Sequence, residues 1–162
     1  MNRDSATRLS ATRLLIPVGA TLFVVALIGS ALILPELRLL HLLQALIYLA
    51  VVILARNNSM WGVGAGIAIA VVWNGNNLLV THNIQKGVAA LWSLLRTGRM
   101  EEFSGIPMLV LLGGIGHVLI IAGCLAIAFD RRITDRKLWK AVAGGVLVLA
   151  YLALIVIVAR PR

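Results

Sequence analysis

Six polar side chains are the main interruptions in the long apolar runs of this sequence: His41, Gln44, Asn74, Asn77, His117 and Tyr151. Imidazole, carboxamide and phenol groups donate and accept hydrogen bonds without a fixed charge. They can hold a neutral solute, ligate iron through a histidine nitrogen, or tie helices together. A polar group left unpaired inside a bilayer is costly, so each of the six needs a partner or a purpose.

Their spacing is helical. His41, Gln44 and Tyr48 fall at i, i+3 and i+7, which places them on one face. Asn74, Asn77 and Thr81 repeat that spacing. With a rise of ~1.5 Å per residue, His41, Gln44, Asn74 and Asn77 belong to the same end of adjacent, oppositely directed spans. Tyr151 lies beyond the midpoint of the last span, toward that end. His117 is near the middle of its own. The expectation is a polar cluster in one half of the membrane, floored by His117. It serves either as a partly hydrated pocket or as hydrogen-bonded glue between helices.

Other chemistry is scarce. No Asp or Glu lies deep in an apolar run, which removes the carboxylate that ion-coupled carriers commonly use. Lys86, Lys137 and Lys140 lie outside the deep apolar core, so no lysine is placed for a buried Schiff base. Gly62 to Gly66 alternates glycine with small residues but lacks the Lys-Ser/Thr ending of a phosphate loop. A metal set of His41, His82 and Glu101 or Glu102 lacks close ligand spacing. The adjacent Glu101 and Glu102 read as a solvated edge. Haem between His41 and His117 requires axial ligands at one level. Their depths differ by about 10 Å on the helical rise. The lone cysteine, Cys124, sits inside a run and excludes a disulfide framework or CxxC pair.

The elements that carry these residues are set by hydropathy. The chain has 162 residues, 60% of them hydrophobic, against about half in a soluble domain. Mean hydropathy is +0.98, and the few charges collect between the apolar runs. Those runs predict five spans, at about 14–34, 38–55, 60–81, 106–129 and 138–159. The fold class is an all-α integral membrane protein, a bundle of five transmembrane helices with one short amphipathic interfacial helix at about 84–96. Residues 1–13 form a basic tail, and 14–162 form one transmembrane domain. The first run is longer than the ~7–15 apolar residues of a secretory signal, so it is read as an uncleaved span. Pro17 is expected in its first turn.

Small residues recur at helical spacing. Gly62, Gly66 and Ala70 form one stripe, and Ala141 and Gly145 another, both suited to close helix packing. The net charge of +9 is taken up by residues flanking the spans, so anionic lipid headgroups, not nucleic acid, are the expected partners. With the N-terminus cytoplasmic, nine basic residues fall on that side and six on the other, which favours N-in, C-out.

Three functional readings follow. The first is a non-catalytic accessory subunit or homo-oligomer, packed through the small-residue stripes against other membrane subunits or itself. The second is a binder or transporter of a small neutral or amphipathic solute in the polar cluster. The third is a haem-binding redox subunit. No cofactor is required by the first two.

Overall fold

The computed structural model describes residues 3–100, 103, 105–129 and 137–159, with side chains from Leu14 onward. The side chains of the basic tail, Glu101, Glu102, the charged turn 130–136 and residues 160–162 lie outside the described set.

Six α-helices account for most of the chain: α1 (Arg3–Ile33), α2 (Arg38–Arg56), α3 (Met60–Gly75), α4 (Asn83–Thr97), α5 (Ile106–Phe129) and α6 (Leu138–Val158). A 3₁₀ turn over Pro35–Leu37 leads into α2. A π-helical turn over Asn76–Val80 prolongs α3. Five segments are long and apolar enough to cross a bilayer: Leu14–Ile33, Pro35–Arg56, Met60–Val80, Ile106–Phe129 and Leu138–Val158. The protein is an all-α membrane bundle.

The helices pack as a four-membered ring with one outlier. α1 makes its most extensive contact with α5 and also packs on α2; α3 packs on α2 and α5 and closes the ring. α6 attaches outside, mainly to α3. Buried positions explain the arrangement. Ile16, Ala20, Phe23 and Leu27 recur every three or four residues on α1, as do Ile47, Val51 and Ala55 on α2. The opposite faces carry exposed Leu32, Leu42, Leu79 and Phe129, positions that lipid chains cover.

Since lipid is as apolar as leucine, association rests on close packing rather than on water exclusion. Glycine supplies it. Gly19 and Gly116 face one another across α1 and α5, and a Cβ on Gly116 would lie 2.6 Å from the Gly19 carbonyl oxygen. Ile16 meets Gly123 and Gly29 meets Leu109, so the two helices run antiparallel. Gly64 of α3 rests on the Ala141 backbone, and Gly144 of α6 on that of Trp61; Trp61 meets Trp139 and Ala68 meets Gly145, so this pair is parallel.

Two local expectations give way. Pro17 is not in a first turn, because α1 begins at Arg3 and continues through it. The missing N–H costs one intrahelical bond, which transmembrane helices tolerate when neighbours compensate. Span three does not stay α-helical to its end. The Thr81 N–H donates to Asn76 O at 2.9 Å, the five-residue step of a π turn. His82 then takes a left-handed conformation (φ 54°), and the chain breaks into α4.

Helix α4 matches the expected amphipathic helix at 84–96 within a residue. It folds back on the start of α5, where Gly87 is buried against Leu111 and Pro107. Trp92 is exposed, with the Arg96 guanidinium 4.9 Å above its ring.

Candidate functional site

At the end of the bundle where α1 finishes, here called the distal end, the ring of helices opens into a cavity of about 270 Å³. Each ring helix contributes to its wall: Ser30 from α1, His41 and Gln44 from α2, Trp73 from α3, and Leu109 from α5. The π turn supplies Asn76 and Asn77, and Thr81 and Asn83 follow it. Among the described residues, no carboxylate or lysine lines the space.

The π turn is what aims Asn77 inward. The Asn77 side chain is buried at 7% exposure and donates through Nδ2 to Trp73 O at 3.0 Å. Its Oδ1 accepts longer contacts from Thr81 Oγ1 (3.5 Å) and Asn83 Nδ2 (3.4 Å). Gln85 braces the turn from outside by donating to Leu78 O. Asn77 thus uses its oxygen and one of its two N–H donors within the chain, which leaves the second donor for the cavity. At His41, Nδ1 is buried and has no partner among the described residues.

Beneath the cavity lies a cluster of four rings, one from each helix of the ring: Phe23, Tyr48, Trp73 and His117. The Phe23 and His117 centroids are 4.2 Å apart, Trp73 and His117 4.8 Å, and Phe23 and Tyr48 4.4 Å. Phe23 and Trp73 also line the cavity, so they form its floor. His117 is completely buried, and its Nε2 lies 2.6 Å from Tyr48 Oη. Either the phenol donates to a bare Nε2 or Nε2–H donates to the phenol oxygen. In both cases Nδ1 is left without a partner among the described residues.

The six residues singled out in the sequence therefore separate. His41, Gln44 and Asn77 meet around the cavity. His117 stands behind its floor, not in it. Asn74 is half-buried on the side of α3 toward Gly114 of α5, outside the lining. Residues three apart are about 60° apart around a helix, and the widened turn separates Asn74 and Asn77 further. Tyr151 is elsewhere, donating through its hydroxyl to Leu43 O at 3.2 Å and fastening α6 to α2.

The small-residue stripes turn inward. Gly62 packs on Leu54 and Ala55 of α2, Gly66 on Cys124 and Val51, and Ala70 is fully buried. Gly145 abuts Ala68 and Gly64, and Ala141 underlies Gly64. These contacts are all within one chain.

Sequence reasoning missed the role of Tyr48, Phe23 and Trp73. Tyr48 was legible as the third member of the His41 stripe. The rings of Phe23 and Trp73 carried no signal, because aromatic residues in apolar runs are ordinary core. Among the described residues, no group of three or more His, Cys, Asp or Glu could hold a metal ion. Comparison with protein-family models, with curated proteins and with solved structures finds no match.

Proposed function

We propose that this membrane protein binds a small solute, neutral or amphipathic, in the distal cavity. The observation that carries the reading is His41: a buried imidazole nitrogen without a partner among the described residues, on the wall of a largely apolar cavity into which several amides and hydroxyls converge. An apolar cavity with a few convergent donors and acceptors is the general form of a binding site. Nδ1 is closed to solvent in this structure, so a ligand in the cavity reaches it by rotation of the His41 ring. His41, Gln44 and Asn77 contact the ligand, while Trp73 and Phe23 close the floor. On the proposed N-in topology, the cavity opens to the outer side.

The test is the small-molecule content of the purified protein. Denaturing release followed by mass spectrometry gives a bound species in the wild type and a reduced amount in the His41→Leu, Gln44→Leu double variant. Identical content in the two proteins ends the proposal.

Assembly as an accessory subunit or homo-oligomer is the second reading. Its support is α6, which buries only Gly144, Gly145 and Ile155 and stands outside the ring. It is weakened because the stripes that motivated it are spent inside the chain. A native mass measurement in mild detergent giving a lone monomer counts against it. Haem draws no support from the geometry, since His117 presents Nε2 to Tyr48 inside a box of rings.

A further inference from the structure

The wall between the cavity and the surrounding lipid is thin between α1 and α2. An apolar crevice of about 380 Å³ lies on the outer side of these helices, and two of its lining residues, Leu27 and His41, also line the distal cavity. A second crevice of about 430 Å³ continues it and shares Val24, Leu42 and Ala45. Together they follow α1 from Leu32 back to Pro17. At the helical rise that is a groove roughly 22 Å long, more than half the ~30 Å hydrocarbon thickness.

The groove has a polar head and an apolar body. Arg38 is at its distal rim and exposed, and its Nε donates to Ala31 O at 3.1 Å, which fixes the guanidinium beside the opening. That bond uses one of five guanidinium N–H donors. One turn further along α2 is His41, with its unpartnered Nδ1. Below them the lining is Leu, Val, Ile and Ala with Pro17, and Thr21 and Tyr48 are the polar exceptions. A fixed cation near the end of the span and, one turn deeper, an imidazole with a nitrogen unpaired among the described residues, beside an extended apolar groove, match one ligand chemistry.

We infer that the α1–α2 groove binds an anionic membrane lipid. An acyl chain lies along the groove, and the headgroup phosphate sits on Arg38 and reaches past His41 toward the cavity. This rests on the proposed cavity function and names its ligand class. The lipid enters sideways from the bilayer, with Leu27 and His41 as the doorposts. The phosphate draws on the charge-assisted donors of Arg38, and the cavity amides take the polar substituents of the headgroup.

The experiment reconstitutes the full chain in vesicles of equimolar phosphatidylcholine and phosphatidylglycerol, extracts it in mild detergent and counts retained lipids by native mass spectrometry. The wild type retains phosphatidylglycerol over phosphatidylcholine by roughly fivefold, the scale of one basic contact. Arg38→Gln removes that preference. Arg56→Gln, at another exposed cation at the opposite end of α2, keeps it. Ala31→Phe, which fills the groove, lowers retention of both lipids. Equal retention by the wild type, or equal effects of the two arginine changes, overturns the inference. So does binding of soluble glycerol phosphate as tight as that of the lipid, which would make the groove irrelevant. If Arg38→Gln changes nothing while the His41, Gln44 double variant still empties the cavity of a released small molecule, the lipid falls and the cavity function stands. If neither variant changes anything, both fall.

Discussion

Tyr48 Oη and His117 Nε2 lie 2.6 Å apart in the middle of the bundle and join α2 to α5 across the diagonal of the ring. Neither side chain is more than 1% exposed. The bond is the one direct polar link described between these two helices, and it is sheathed by Phe23 and Trp73.

Tyr48→Phe leaves both imidazole nitrogens of His117 unpaired. Hydrogen bonds between membrane helices are worth about 0.6–2 kcal/mol, and the orphaned ring adds its own penalty. Thermal unfolding in detergent is expected to fall accordingly. The Tyr48→Phe, His117→Leu double variant should lose less than the sum of the single changes. Strict additivity would show that the pair contributes nothing as a pair.

Glycines at different positions should respond oppositely to alanine. A Cβ at Gly64 would collide with the Ala141 backbone, so Gly64→Ala must push α6 away from α3. A Cβ at Gly75 meets nothing within 4 Å. Gly75→Ala should be neutral or stabilising, by up to about 1 kcal/mol from backbone entropy and helix propensity. Limited proteolysis of the segment before α6 and the midpoint of thermal unfolding report the two outcomes.

Asn77 and Asn74 separate the cavity from its surroundings. Asn77→Leu loses the 3.0 Å bond to Trp73 O and the contacts to Thr81 and Asn83. Amide hydrogen exchange over 76–83 should accelerate, and cavity occupancy should drop. Asn74→Leu should leave both near wild type. Equal effects from the two changes would contradict the placement of the cavity.

Topology can be read with the chain's own cysteine left in place. Cys124 is fully buried, so native protein gives little background labelling. A membrane-impermeant maleimide added outside cells should label Thr97→Cys and spare Asn57→Cys, both sites being exposed. The reverse pattern would invert the proposed N-in orientation.

The spans were legible because hydropathy over twenty residues is a sum of many concordant choices. The amphipathic helix was legible for the same reason, at a different period. The site was half legible. His41 and Gln44 follow from one unbroken helix, whose geometry is regular. Asn74 was misgrouped because the π turn after it leaves no mark in composition. The glycine stripes could be listed from spacing alone, but their partners depend on which helices adjoin, and one sequence does not state that. Tyr48 and His117 are 69 positions apart, and no local rule pairs them.

Gly19 and Gly116 touch across the main seam of the bundle, yet about a hundred residues of synthesis separate them. At ~5–20 residues per second, α1 spends several seconds in the membrane before α5 emerges. During that interval its glycine face is covered by lipid or by a chaperone, and the aromatic box lacks His117. Helix α6, by contrast, arrives when its docking groove on α3 already exists. The chain thus has a built-in order of assembly, in which the central ring closes late and the outer helix follows at once.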